Sequence, residues 1–149
     1  MRLRFSRTAD YGLRAALEVA RAPDGQLVTR HAIARSVDAP ASVLAQSLAG
    51  LVRAGILIAH AGPRGGYRLA GPAHDVSVHD IVLAIDGEER PERCVLHEGA
   101  CSWEGACPFH EFLATAQQRF LDTLRTTSLA DVLTGITPQP PVEQAGATP

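Results

Sequence analysis

Every cysteine in the chain lies in one run, CVLHEGACSWEGACPFH, residues 94–110. Six residues separate Cys94 from Cys101, five separate Cys101 from Cys107, and His110 follows Cys107 by three. Thiolates and imidazoles are the ligands that soft and borderline metals favour. Structural zinc sites use cysteine pairs about two to four residues apart; these gaps are wider and contain Gly99 and Gly105. A wide, glycine-containing loop suits an object larger than one ion, and iron–sulfur clusters (2Fe–2S or 4Fe–4S) take thiolate ligands. Three cysteines leave one ligand position to another residue, and a weaker fourth ligand suits a sensor. His110 is a candidate for it, and His97 is less well placed. Zinc, a cluster-free thiol switch and inert cysteines are the alternative readings. His31, His60, His74 and His79 belong to no motif.

The elements that would position this run can be read from periodicity and breakers. Thr8 to Arg21 has Leu13, Ala16, Leu17 and Ala20 at helical spacing. APDG breaks it. Thr29 is placed to cap a short helix, RHAIARS. VDAP turns the chain, and a second helix runs from about Ala41 to Ala54. Its inner side carries Leu44, Leu48, Leu51 and Val52, its outer side Ser42, Val43, Gln46 and Ser47, and Gly55 ends it. Two short helices joined by so tight a turn are a helix-turn-helix. Ile56 to His60 reads as a strand, GPRGG as a hairpin tip and YRLA as the return strand. A hairpin in that place is a wing. SVHDIVLAIDG follows as a short helix. Beyond the cysteine run, Phe109, Leu113, Ala116, Phe120 and Leu124 form the stripe of a long amphipathic helix. Ser128 and Asp131 stand in capping-box register at the start of a last short helix.

The fold expected is mainly α with a small β-wing. Residues 1–72 form a winged helix-turn-helix DNA-binding domain, 73–135 the cluster-binding loop and a long C-terminal dimerisation helix, and 136–149 a disordered tail.

Net charge over the 149 residues is −2, but its distribution is uneven. Residues 1–70 carry ten arginines against four acids; residues 71–149 carry four against twelve. The first part is therefore suited to a polyanion and the second is not. All the basic side chains are arginines, whose planar fork fits phosphate and guanine edges. In double-stranded DNA, Ser42, Val43 and Gln46 would face base edges in the major groove. Arg64 would reach the minor groove or phosphates from the wing tip. Arg2, Arg4, Arg7 and Arg30 would contact phosphates, which fix register without reading sequence. The Phe109–Leu124 stripe would pair two copies, so that two recognition helices meet two half-sites.

No nucleophile elbow, P-loop or dinucleotide fingerprint occurs, and GPRGG precedes a strand where a phosphate loop needs a helix. An enzyme is not expected. No apolar run is long enough to span a membrane, and the first residues do not read as a secretory signal. The expected location is cytoplasmic, where thiols stay reduced.

These motifs together resemble the winged-helix iron–sulfur regulators that include IscR, NsrR and RirA. FSRTADYGLRAALEVA is similar to that family's first helix, AIARSVDAPASVLAQSLAGLVRAGIL to its helix-turn-helix and GPRGGYRLA to its wing. VSVHDIVLAIDG and TSLADVL resemble later family segments. The resemblance covers about residues 1–134. It implies a homodimeric DNA-binding transcriptional regulator, most often a repressor, sensing nitric oxide, iron, oxygen or cluster status. It also implies that Cys94, Cys101 and Cys107 hold the cluster. Some members complete it with a histidine where His110 stands, others with an aspartate near the start of the first helix, where Asp10 stands. Two departures bear on function. The first cysteine gap is six where the family usually has five, and Val43 and Ala45 replace a Tyr and a Glu common in the recognition helix. The runner-up is a zinc- or thiol-based redox element in a DNA-binding or adaptor module.

Overall fold

The computed structural model describes residues 5–88 and 107–135. Six α-helices and a two-stranded antiparallel sheet appear among them, in the order α1 (Arg7–Arg21), α2 (Arg30–Val37), α3 (Ala41–Arg53), β1 (Leu57–His60), β2 (Gly66–Leu69), α4 (Val78–Asp86), α5 (His110–Thr126) and α6 (Leu129–Thr134). A single 3-10 turn, Ala73–Asp75, leads into α4. The expected tail, residues 136–149, lies outside the described residues.

Helix α1 starts where the Ser6 hydroxyl accepts from the Ala9 N–H, 3.0 Å away. Its inner face is built of small groups, with Ala9, Gly12, Ala15, Ala16 and Val19 buried. That smoothness lets α3 and α4 lie close against it. Gly12 is the tightest point: a Cβ there would overlap Cδ1 of Ile85 on α4. A mid-helix glycine costs roughly 0.5–1 kcal/mol against alanine, and the packing of Ile85 offsets that cost. Gly50 on α3 meets the same neighbour helix, its missing Cβ standing 3.2 Å from the Ala84 carbonyl oxygen.

The turn between α2 and α3 depends on Asp38, which adopts a left-handed conformation at φ 51°, ψ 45°. Its N–H still bonds the Ala34 carbonyl at 3.0 Å. Asp is one of the few side chains that tolerate this region. Leu44, Leu48 and Leu51 turn inward from α3. Gly55 (φ 75°) then reverses the chain with paired bonds, Ile56 N–H to Leu51 and Gly55 N–H to Val52, which is a Schellman stop.

The wing pairs Leu57 with Leu69 through to His60 with Gly66. Val28, in the loop before α2, adds a third short edge by exchanging both backbone bonds with Tyr67 (2.9 and 2.8 Å). A Cβ on Gly66 would stand 2.6 Å from the Val28 carbonyl oxygen, so this close approach requires glycine. The core runs through all of these parts, from Ala15, Val19 and Ile33 to Leu48, Leu57, Val76, Ile81 and Leu129. Helix α5 contributes no fully buried residue. The segments leading into α4 and α6 are bridged at Ser77 and Ser128, each of which opens a complete capping box, with Asp80 and Asp131. The box at Ser128 is the expected one; the one at Ser77 was not read from the sequence.

Candidate functional site

Helix α3 is the second helix of the helix-turn-helix, and it presents its outer residues as the periodicity predicts, with one exception. Ser42 and Gln46 are exposed and Val43 is half-buried. Ser47, expected beside them, is fully buried. Its hydroxyl donates to the Thr8 carbonyl of α1 at 2.8 Å, with the Val43 carbonyl at 3.0 Å as the alternative acceptor. The physical reason is the smooth face of α1: with Gly12 opposite, the helices approach until the Ser47 side is covered. A serine suits that place because its hydroxyl finds carbonyl partners there.

The first turn of α3 is open. Pro40 precedes it, and no side chain caps it. Side chains cap α1, α2, α4 and α6, through Ser6, Thr29, Ser77 and Ser128. Free N–H groups and the positive end of the helix dipole face outward at α3, an arrangement that accepts phosphate. Arg30, the first residue of α2, reaches this point and donates from Nη2 to the Ala41 carbonyl at 3.2 Å. Its guanidinium stays exposed. Arg7 is exposed at the start of α1 and Arg64 at the wing tip. Arg2 and Arg4 lie outside the described residues. On the wing, Arg68 donates from Nε to Nε2 of His60 across the strands at 3.3 Å, a pair not singled out in the sequence. The Ile58–Arg68 register, which needs the hairpin to be known, is the signal that would have found it.

Of the predicted metal ligands, Cys94 and Cys101 lie outside the described residues, as does His97. Cys107 is half-buried just before α5, and its carbonyl accepts from the N–H of His110 at 3.2 Å. His110 is the exposed first residue of α5, whose own N-terminus carries no side-chain cap. Asp10 is half-buried in the first turn of α1 and forms an ion pair with Arg14 at 3.0 Å. Among the described residues, no three His, Cys, Asp or Glu side chains gather into a metal site. Three thiols in one sequence segment are donors of the type that iron–sulfur clusters take.

No helix among the described residues is long and apolar enough to cross a membrane. Large apolar groups do stand in water at the start of α5, where Phe109, just before the helix, is 58% exposed and Phe112 69%.

The family model described as Rrf2, iron-dependent transcriptional regulator, matches residues 5–135. Protein rrf2 of Nitratidesulfovibrio vulgaris (strain Hildenborough) is 28% identical over 131 residues, covering 88% of this chain and 87% of that protein. CymR of B. subtilis, the global cysteine regulator, superposes with a TM-score of 0.73 at 21% identity, covering 89% of this chain and 98% of that one. T. potens IscR gives 0.69 at 24% identity, covering 91% and 89%. These likenesses establish the winged-helix fold, and the matched family is one of regulators and not of enzymes. The chain belongs to the Rrf2 family of transcriptional regulators.

Proposed function

We propose that this regulator is a homodimeric repressor that reads a double-stranded operator with α3 and senses nitric oxide, iron, oxygen or cluster status through an iron–sulfur cluster held by Cys94, Cys101 and Cys107. Asp10 or His110 completes the ligand set. The observation that carries the DNA-reading part is the open first turn of α3, with Ser42 and Gln46 exposed behind it and Arg30 at its side. Phosphates of the backbone meet the free N–H groups and the arginines, which sets the register. Gln46 then bonds an adenine edge through both amide atoms, and Val43 touches a thymine methyl.

When bound, a cluster supplies an iron centre that reacts with oxidants and nitric oxide and is held by thiolates. In this reading Cys107 and His110 would supply ligands from the start of α5, or Asp10 would supply the fourth from the first turn of α1 by reaching across the dimer. For Asp10 to ligate, its ion pair with Arg14 must open; that pair is exposed and therefore inexpensive to break.

Dimerisation is supported by α5. Pro108, Glu111, Phe112, Thr115, Ala116 and Arg119 line an open groove of about 700 Å3 along a helix with no fully buried residue. A second copy of α5 would cover the apolar groups among them, Pro108, Phe112 and Ala116.

The test is the visible absorption of anaerobically purified protein, with iron, sulfide and zinc assayed on the same sample. Broad bands between about 320 and 500 nm with matching iron and sulfide are expected. Cys101→Ala is expected to abolish them and to change affinity for an operator selected from random-sequence DNA, while the dimer persists. An operator affinity that is the same with and without the cluster would sink the sensing role. Zinc without iron or sulfide would put the zinc or thiol reading in its place.

A further inference from the structure

Residues 5 and 6 receive contacts from both sides of the cysteine segment. On the upstream side, Asp86 is the last residue of α4. Its carboxylate accepts from the Ser6 N–H at 3.1 Å and from the Ser6 hydroxyl. Gly87 (φ 77°) then ends the helix, seven residues before Cys94 in the sequence. On the downstream side, the chain continues from Cys107 into α5, and Phe120 of α5 stacks on Phe5, with ring centroids 6.3 Å apart and an interplanar angle of 27°. Nothing in the sequence pattern joins residue 6 to residue 86.

The charge arrangement explains why this contact is more than incidental. A carboxylate at the end of its own helix faces the negative end of that helix's dipole. Asp86 is relieved of this by standing at the positive start of α1. The Ser6 hydroxyl uses both its capacities there, donating to Asp86 and accepting from the Ala9 N–H. Two residues further on, the Thr8 carbonyl holds the buried Ser47 of α3 at 2.8 Å. Ser47 directly follows Gln46.

We propose that the Ser6–Asp86 pair is the joint through which the cysteine segment sets the position of the DNA-reading helix. Asp86 and Ser6 are positioning residues, acting through the first turn of α1 and the Thr8–Ser47 bond. The same turn carries Asp10, so a change of ligation at that residue would enter the path at the same place. This rests on the reading that the cysteines hold a sensing group.

The experiment measures operator affinity by fluorescence anisotropy at one salt concentration. It uses cluster-loaded and chelator-stripped protein, each as wild type, Asp86→Asn and Ser6→Gly. Ser6→Gly keeps the backbone N–H and a tolerated N-cap residue, so it guards against a fold defect in Asp86→Asn. The wild type should show a loaded-to-stripped affinity ratio of roughly 5–150-fold, and both variants should bring that ratio toward one while retaining the visible absorbance. A joint that only stabilises the fold would lower the melting temperature and leave the ratio unchanged, which overturns the proposal while sensing stands. A wild-type ratio of one overturns the sensing role and the joint together. Hydrogen exchange on the stripped proteins gives a readout independent of any cluster. The amides of Ala9 and Asp10 should exchange faster in both variants, and unchanged protection would also overturn the joint.

Discussion

Gln46 is the residue from which sequence-specific affinity is expected to come. It is exposed, one turn into a helix whose start is open to phosphate. Gln46→Ala should weaken operator binding by about 1–3 kcal/mol and leave binding to random DNA unchanged. Parallel anisotropy titrations on the two DNAs check this, and equal losses would mean that Gln46 touches only backbone. Its exposure was legible because Leu44, Leu48 and Leu51 fix which side of the helix is buried. Ser47 was not legible. Helical spacing gives a residue's angle on its own helix, but the place where a second helix crosses depends on the small groups of that helix, here Gly12. Asp86 and Ser6 were hidden for a related reason: both are ordinary polar residues locally, and only the packing of α4 on α1 brings them together.

At the scale of elements, local chemistry was the most readable part. Thr29 and Ser128 announced helix starts, and Gly55 announced a helix end; each acts within a few residues, so no knowledge of the rest of the fold is needed. Ser77 belongs to the same class and was passed over, although S-V-H-D carries the same capping register as S-L-A-D. The box at Ser128 has a pH signature. Hydrogen bonds from the Ser128 hydroxyl and then its N–H hold the Asp131 carboxyl below the ordinary carboxylate value. Its contribution to stability is therefore full above about pH 4, the unfolded-state value, and is lost as the pH falls through the lower folded value. Ser128→Ala should lower the melting temperature at neutral pH, and its deficit against wild type should narrow in acid, as followed by circular dichroism. The Gly12 contact makes a different prediction. Gly12→Ala forces Ile85 aside and should destabilise by about 1–3 kcal/mol, and a second change, Ile85→Ala, should recover part of the loss in denaturant titrations.

For the whole molecule, the question is what covers α5. The stripe of Phe109, Leu113, Ala116, Phe120 and Leu124 was visible in the sequence, but periodicity does not separate residues buried within the subunit from those left facing outward. Phe120 turns back onto Phe5, whereas Phe109 and Phe112 stand in solvent. Phe112→Glu should convert the proposed dimer to monomer in sedimentation velocity. It should also weaken operator binding, because two linked heads gain affinity that single heads lack. A variant that stays dimeric would place the pairing surface elsewhere. The bridge between Ser77 and Ser128 has a consequence at this scale too. The bonds from Val78 to Thr127 and from Leu129 to Val76, both 2.8 Å, close the intervening chain into a ring of about fifty residues. The length-dependent entropy of closing such a ring is about 3.5 kcal/mol, and the folded protein meets it with these backbone bonds and with Val76 and Leu129 buried in the core. Cys94, Cys101 and Cys107 all lie along the sequence between the two ends of that ring. A ring whose ends are tied by the body of the protein keeps those ends together independently of what the segment between them binds.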